Sequence, residues 1–461
     1  MEGGFKLPAY NSSISLVRIP DRNHDWYTEM NYVCLEERTG GLLELEQAYL
    51  TMHPLQYGGE GTQDSDELYW PKLGVRDLEG NHIFGRPAFK SVTTSSAYAF
   101  PERTVYFHGS TLLPECFWHS HSPGHWIFPM SAIFELARKN TTIFPEFDRL
   151  ALLKCADWHK YLREWEWGKL TLEAALDPLV EKGLFHTYPS SADVSEPYTN
   201  LDVPYPLPHI FSPIRRNLTY HLEPYLLCFE NLHVVARWSV MSNSSDDAQA
   251  FRDSILKTKL KRYPKSKPDV MISPLTDKTV PDRCKEKSLR IGIYLRYKDW
   301  TRNLINDEEI LNVTMKYSSH AILKRIFAPP MEEQLQMYNS FDILISTYGS
   351  HLVNLIFTNR TRVAVIEVGL AIRDLFWREN ALRLGINNYY YSMAGSDGDE
   401  QCYKEKKMDK RCAVQSDGQT VICPPSHKNV LWNAIGDCSF TLNASIFEKQ
   451  LVNAITNLCK S

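Results

Sequence analysis

Residues 341–369, "FDILISTYGSHLVNLIFTNRTRVAVIEVG", carry the clearest fold signal in the chain. A continuous apolar run stops at a Thr-Tyr-Gly-Ser turn. A second run with helical spacing follows, and a third apolar run includes Glu367 near its end. Continuous apolar runs are typical of strands that are buried on both faces of a parallel sheet. The stretch therefore predicts a strand, a short helix and a strand, which together form a right-handed βαβ unit.

The turn inside this unit is a candidate ligand site. In open parallel sheets, ligands bind beyond the carboxyl ends of the strands, and Thr347 to His351 lie there, at the start of the predicted helix. Helix amino ends favour anions such as a diphosphate. Gly349 permits a close approach or a positive φ, and Glu367 could accept hydrogen bonds from a ribose. The alternative is a strand-to-helix turn with only a structural role.

Neighbouring segments predict further elements. Residues 288–296, "SLRIGIYLR", predict a strand that ends on Arg296, and residues 329–340 predict a helix that begins at its two prolines. In the first half, the apolar patterns predict a strand at 102–113, a helix at 124–139 with a kink or a start at Pro129, a helix at 147–165, a strand-turn-strand at 224–240 and a helix at 246–260.

The chain length favours two domains, because 461 residues exceed what one compact core usually holds. The fold class that we expect is α/β, with two Rossmann-like domains. The predicted organisation is an irregular N-terminal segment at 1–70, an α/β acceptor-side domain at 71–265, a proline-rich linker at 266–288, a nucleotide-sugar domain at 289–392 and a cysteine-containing C-terminal segment with a final helix at 393–461.

Composition excludes some functions and favours a compartment. A net charge of -4 offers no basic footprint for nucleic acid. Four of the ten cysteines crowd a polar stretch where disulfides would stabilise a small core. Seven Asn-x-Ser/Thr sequons point the same way. The crowded cysteines are Cys402, Cys412, Cys423 and Cys438, and the sequons begin at Asn11, Asn140, Asn217, Asn243, Asn312, Asn359 and Asn443.

These features predict a protein of the secretory-pathway lumen, in the Golgi or the endoplasmic reticulum. The N-terminus shows no signal peptide, and no apolar run approaches the ~20 residues of a membrane-spanning helix. We therefore expect membrane association only through an anchor that is not present in this chain. A cytosolic protein with chance sequons is the alternative.

Three blocks of sequence resemble glycosyltransferase family 61, whose members include plant β-1,2-xylosyltransferases and animal lumenal protein O-GlcNAc transferases. The blocks run in the family's order between about residues 115 and 370. The family's loop reads His-Gly-Ala-Gly-Leu-Thr-Asn, and here Tyr348, Ser350 and His351 replace its His, Ala and second Gly. The matching positions are Arg296, Arg302, Asn306, Glu309, Glu333, Gln334, Gly349, Leu352, Asn354, Phe357 and Glu367.

The resemblance implies two Rossmann-like domains that face a cleft, the GT-B architecture. It also implies transfer of a sugar, GlcNAc or xylose, from a UDP donor to a protein or glycan hydroxyl, with inversion and with no cofactor or metal. The partners are then the UDP-sugar and a glycan or glycoprotein acceptor. A catalytically inactive, lectin-like or scaffold member of the same fold is the alternative, because the loop is altered. A cytosolic nucleotide-dependent enzyme is a third possibility.

Two arginines are the candidate groups that neutralise the leaving diphosphate. Metal-dependent transferases use an Asp-x-Asp at a strand end, and the two such motifs here, at 64–66 and 397–399, follow no apolar strand. A guanidinium forks onto phosphate oxygens, so Arg296 and Arg302 fit this role. Their alternative is a surface salt bridge with Asp307 or Glu308.

His125 is the candidate base for the acceptor hydroxyl, because imidazole titrates near neutrality. The alternative is a histidine that caps a buried helix. Together with His119 and His121 it could also bind zinc, although such a loop without a carboxylate or Cys partner seldom does. His351 could replace the missing loop histidine as a diphosphate or sugar contact, and Asn306 and Asn354 are expected to support the loops.

Overall fold

The computed structural model divides the chain into two compact units. Met1–Val240 and Lys257–Arg262 form the first unit, and Met241–Leu256 and Tyr263–Ser461 form the second. The finer predicted boundaries stay predictions. The structure describes residues 13–18, 25–39, 43–50, 75–76, 82–83, 89–91, 104–114, 123–139, 143–151, 166–185, 209–211, 225–237, 240–262, 280–296, 302–325, 331–358, 363–370, 375–394, 413–422 and 439–460.

The first unit is built on a mixed eight-stranded sheet. Its strands run in the order β6-β3-β2-β10-β7-β8-β9, and β1 also pairs with β2. The pairs of β2 with β1, β3 and β10 are antiparallel, whereas β10, β7, β8 and β9 pair in parallel. The strands of this unit are β1 (Ser13–Arg18), β2 (Asp25–Thr39), β3 (Leu43–Leu50), β4 (Val75–Arg76), β5 (His82–Ile83), β6 (Phe89–Ser91), β7 (Thr104–Pro114), β8 (Arg149–Ala151), β9 (His209–Phe211) and β10 (Tyr225–Arg237).

Three sequence predictions for this unit are wrong. Within the segment 1–70, which was predicted to be irregular, the described residues form β1, β2 and β3, which pair within the sheet. Residues 149–151, predicted to be helical, form β8 beside β7. The predicted strand-turn-strand at 224–240 is one strand, β10, with a bulge between Phe229 and Asn231. In each case pairing with a distant strand overrides the local pattern.

Helices α1 (Pro123–Lys139) and α2 (Glu166–Glu181) pack together in the first unit. Trp126 Nε1 of α1 donates to Thr171 Oγ1 of α2 over 2.8 Å. Pro129 lies inside α1 and does not start it. A fully buried ion pair joins α1 to β10, since the Arg237 guanidinium forks onto both carboxylate oxygens of Glu135 at 2.9 and 2.8 Å.

The second unit contains the predicted parallel sheet. Five strands run in the order β12-β11-β13-β14-β15, and every neighbouring pair is parallel. All five residues of β13 are buried, as its continuous apolar run predicts. The strands are β11 (Arg290–Leu295), β12 (His320–Arg325), β13 (Ile343–Thr347), β14 (Ala364–Gly369) and β15 (Asn388–Met393), and β16 (Ala413–Val414) and β17 (Val421–Ile422) form a separate hairpin.

Helices connect these strands and cover the sheet. The last helix packs on β14 and β15, and its Phe447 and Leu451 lie in the same buried cluster as Ile345 and Ile366. The segment at 350–357 is a 3-10 helix, tighter than an α-helix. The helices are α3 (Ser245–Arg262), α4 (Val280–Lys285), α5 (Asp307–Met315), α6 (Met331–Ser340), η1 (Ser350–Phe357), α7 (Phe376–Arg383) and α8 (Ala444–Lys460).

A disulfide between Cys284 and Cys459 ties α4 to α8. This pair was not predicted from the sequence. A linker was predicted at 266–288, and within that range Val280–Lys285 form α4. The predicted cysteine group at 402–438 lies outside the described residues. Disulfides persist in oxidising compartments, so the bond is compatible with a lumenal protein.

Candidate functional site

The strand order places a topological switch point between β11 and β13. From β11 the chain crosses to β12 on one side, whereas the chain after β13 continues to β14 on the other side. Ligands in doubly wound folds bind at such a switch point, outside the carboxyl ends of the strands. Arg296 directly follows β11, and the turn at Tyr348 and Gly349 directly follows β13. The sheet order therefore places two of the predicted site segments side by side.

Gly349 is needed for a close approach and not for its backbone angle. Its φ of 174° and ψ of 162° are extended values that any residue can adopt. A Cβ at this position would lie 2.7 Å from both Cε1 and Nδ1 of His351 and 3.3 Å from Nη2 of Arg296. The structure therefore contradicts a positive φ at this glycine and shows that the His351 ring packs against it, whereas the close approach of a ligand stays a prediction.

His351 is held in one orientation by the sheet. Its Nε2 lies 2.7 Å from Ser346 Oγ, and the Ser346 hydroxyl donates to the Tyr294 carbonyl over 2.9 Å. The contact between Nε2 and Oγ is a hydrogen bond in which the imidazole tautomer sets the donor. The Tyr294 ring lies 5.1 Å from the imidazole, and Tyr338 donates its hydroxyl to the His351 carbonyl at 2.9 Å.

The same surroundings keep the imidazole neutral. Burial first, and then the positive charges of Arg296 and Arg302, lower the pKa of His351 from 6.5 to about 3. A neutral ring supplies no positive charge to a phosphate group. The two guanidinium groups are close enough to act on this ring, so positive charge converges on the turn after β13.

Arg302 and Tyr348 form a second contact at this switch point. The Arg302 guanidinium carbon lies 5.6 Å from the Tyr348 ring centroid, which is cation–π distance. Arg302 has a φ of 63°, an uncommon value for a residue with a side chain. Strained backbone of this kind persists only where its surroundings hold it. The Tyr348 ring also meets the Trp377 ring edge-on, with 6.4 Å between the ring centroids.

One hydroxyl and one indole group near this turn lack a hydrogen-bond partner among the described residues. Among the described residues, Thr347 Oγ1 and Trp377 Nε1 are buried and make no hydrogen bond. Thr347 ends β13, and Trp377 is the second residue of α7. A buried donor without an acceptor costs free energy, so the indole N–H of Trp377 can donate a hydrogen bond to a ligand oxygen.

Glu367 lies in the buried interior of β14, with only 2% of its surface exposed. The Tyr389 hydroxyl donates to its Oε2 over 2.5 Å. Burial, followed by the charge of Glu367, raises the pKa of Tyr389, so this phenol stays protonated and remains a donor. One carboxylate oxygen is therefore engaged by the protein itself.

The two predicted supporting asparagines both brace helices. Asn354 Nδ2 donates to Gln334 Oε1 over 2.8 Å and joins η1 to α6. Asn306 Nδ2 donates to the Leu442 carbonyl at 2.9 Å, and Asn306 Oδ1 accepts from the Leu442 amide at 3.0 Å. The second pair fixes the start of α5 to the segment before α8.

Other predicted residues are only partly described. His125 is the third residue of α1, and its side chain lies outside the described part. His119 and His121 also lie outside it. Among the sequons, Asn312 and Asn443 are exposed and Asn243 is partly buried. Asn11, Asn140, Asn217 and Asn359 lie outside the described residues. No helix in the described part is long and apolar enough to span a membrane.

Three residues of this region were not predicted from the sequence. Ser346 is a hydroxyl within an otherwise apolar strand, and that break in the pattern was a usable signal. Trp377 follows the strand run by several residues and gave no signal. Arg325, in the segment "ILKRIF", also gave no signal, although its side chain donates a hydrogen bond to the Arg296 carbonyl, directly after β11.

The comparisons with known proteins point to one family. Residues 123–365, more than half of the chain, match the family model described as glycosyltransferase 61. This range contains α1, the carboxyl edges of β11 and β13, and the turn at Gly349. A search of curated proteins found no significant match. The chain belongs to the glycosyltransferase 61 family, and its general activity is that of a glycosyltransferase.

Proposed function

We propose that the protein is an inverting glycosyltransferase that moves GlcNAc or xylose from a UDP donor to a hydroxyl group of a protein or glycan. The main support is that Arg296, Arg302 and the Gly349 turn lie close together at the switch point between β11 and β13. Family membership supports glycosyl transfer in general. The UDP donor, the sugar and the acceptor are our inference.

The diphosphate is assigned to the turn between the two arginines. Arg296 and Arg302 supply charge-assisted hydrogen bonds, each worth about 1.5–3 kcal/mol. The amides at Gly349, Ser350 and the start of η1 supply the positive end of a helix. His351 is neutral and bound to Ser346. We therefore assign it to support of the turn rather than to charge neutralisation.

The nucleoside side of the donor is assigned to the strands after the turn. Glu367 has a buried carboxylate whose Oε2 accepts from Tyr389, and this carboxylate is our candidate acceptor for ribose hydroxyls. Trp377 Nε1 is a buried donor without a protein partner among the described residues. Tyr348 holds Arg302 against its ring face.

The transfer step needs a base and a stabilised leaving group. The acceptor oxygen attacks the anomeric carbon on the face opposite the diphosphate, while the bond from that carbon to the phosphate oxygen breaks. The electron pair leaves with UDP, whose negative charge the two arginines balance, and the acceptor proton passes to the base. We assign the base to His125, in the first turn of α1 within the family match. In this scheme the arginines take the place of a metal.

The same proposal includes the architecture and the compartment. We propose a GT-B arrangement of two Rossmann-like domains that face a cleft, and a location in the lumen of the Golgi or endoplasmic reticulum. The Cys284–Cys459 disulfide supports the compartment. If the chain is made in a secretory host, an endoglycosidase should increase its mobility through the exposed sequons at Asn312 and Asn443. No shift, together with reduced cysteines, would place the protein in the cytosol.

Calorimetry with UDP, UMP and uridine tests the donor site. We expect affinity to fall from UDP to uridine, in the presence of a chelator as well as without it. Arg296→Ala and Arg302→Ala should each weaken UDP by about tenfold or more. Lys316→Ala is the matched control. This exposed lysine directly follows α5 and pairs with Glu448 of α8, so its loss also removes one positive charge. If millimolar UDP gives no heat of binding, the lectin-like or scaffold alternative is favoured. A separate screen for hydrolysis of UDP-GlcNAc and UDP-xylose would identify the donor sugar.

A further inference from the structure

Arg325, the last residue of the edge strand β12, uses every hydrogen-bond donor of its side chain. A guanidinium has five N–H groups, and each donates to a described residue between Arg296 and Asp307. Nε donates to Asp307 at 2.9 Å, Nη2 to Asp307 at 2.6 Å and to the Leu304 carbonyl at 3.0 Å, and Nη1 to the Arg296 carbonyl at 2.8 Å and to Asn303 Oδ1 at 2.5 Å.

These contacts reach described residues at both ends of the loop between β11 and α5, which carries both candidate phosphate ligands. One hydrogen bond reaches the backbone of Arg296 itself. Another reaches the side chain of Asn303, the neighbour of Arg302. The backbone of Arg302, with its φ of 63°, therefore lies between two points that Arg325 fixes. Strained residues persist where the surrounding structure over-determines them.

Arg325 is not itself available to a phosphate. Its side chain is 12% exposed, and its charge is balanced by Asp307, which is 8% exposed. All of its donors already have protein acceptors. Its neighbour Lys324 differs, because that side chain is 36% exposed and pairs with Glu333 on α6 at 2.8 Å.

We propose that Arg325 is a positioning residue for donor binding, which sets Arg296 and Arg302 at the distance that a nucleoside diphosphate requires. This inference rests on the proposed function and assigns a role within the same site. A lysine cannot reproduce it, because an ammonium has three donors on a flexible stem and lacks the planar fork. The proposal predicts that Arg325 acts on the donor only through the loop.

A double-mutant cycle tests this role in the full-length chain. UDP affinity is measured by calorimetry for wild type, Arg296→Ala, Arg325→Met and the double variant, with Lys324→Met as the control. Arg325→Met should weaken UDP by about tenfold, and Arg325→Lys should recover little of this loss. Lys324→Met should bind as wild type does. Adding Arg296→Ala to the Arg325→Met variant should lower UDP affinity by at most a few-fold more, because Arg296 is already out of position in that variant.

The outcomes separate the two proposals. If wild type does not bind UDP, the proposed function is overturned, and the role of Arg325 fails with it. If wild type binds UDP but the two substitutions are additive, or if Arg325→Met binds normally, only the role of Arg325 is overturned. Should Arg325→Met fail to fold, Asn303→Ala replaces it in the cycle, since it removes one anchor of the same loop. Additivity there overturns the role as well.

Discussion

Replacing Gly349 with alanine should introduce a clash that has a single main cause. The new Cβ would lie 2.7 Å from two atoms of the His351 ring. Carbon atoms pack best at about 3.5–4.0 Å, so the ring must move by about 1 Å. It cannot move freely, because Ser346 and the Tyr294 ring hold it.

The expected cost combines two effects. Overpacking in a well-packed region typically costs about 1–3 kcal/mol. Loss of the hydrogen bond between His351 and Ser346 adds about 1 kcal/mol. Gly349→Ala should therefore destabilise the protein by roughly 2–4 kcal/mol and should weaken UDP, since Arg296 Nη2 lies only 3.3 Å from the new atom.

A double-mutant cycle with His351→Ala isolates the clash. Thermal unfolding and UDP calorimetry are run on both single variants and on the double variant. The double variant should recover stability, with a coupling energy of about 1–3 kcal/mol. Gly183→Ala is the control, because its φ of 67° adds strain while no atom lies within 4 Å of the new Cβ; it should show no coupling to His351. If Gly349→Ala costs the same stability with and without the imidazole, the clash with His351 is not the cause.

Three further predictions follow from named contacts. Replacing Cys284 and Cys459 by serine removes a crosslink with a sequence separation of 175, and the chain-entropy relation predicts that the free energy of unfolding falls by about 5 kcal/mol. Unfolding curves with and without reductant check this. Curves that coincide for the wild type and the variant would contradict it. Tyr348→Phe should keep UDP affinity because it keeps the ring face, whereas Tyr348→Ala should lose about two- to tenfold with the cation–π contact; equal calorimetric affinities for both variants would remove Tyr348 from the site. The folded-state pKa of His351, about 3, lies below its ordinary value of 6.5, so its contribution to stability is complete above about pH 6.5 and is lost as the pH falls towards 3. His351→Gln should flatten this part of the stability–pH profile, and an unchanged acid slope would show that the imidazole titrates elsewhere.

The C-terminal unit could be predicted well from local pattern. The runs at 288–296, 341–347 and 363–369 became β11, β13 and β14, because strands buried on both faces need continuous apolar sequence. The helix at 329–340 also formed, beginning at Met331. The turn after β13 could be recognised as a site candidate, since the ends of parallel strands gather at one edge of the sheet.

Only the tertiary structure decided which groups meet at that edge. The order β12-β11-β13 brings Arg296 beside Gly349, and it lets Arg325 of the edge strand reach the loop after β11. The charge state of His351 likewise depends on burial and on two arginines that are distant in sequence. The short strand at 149–151 followed its partner β7 rather than its own periodicity. Local sequence determines which segments can form strands and helices, whereas pairing and burial depend on distant residues that no local pattern encodes.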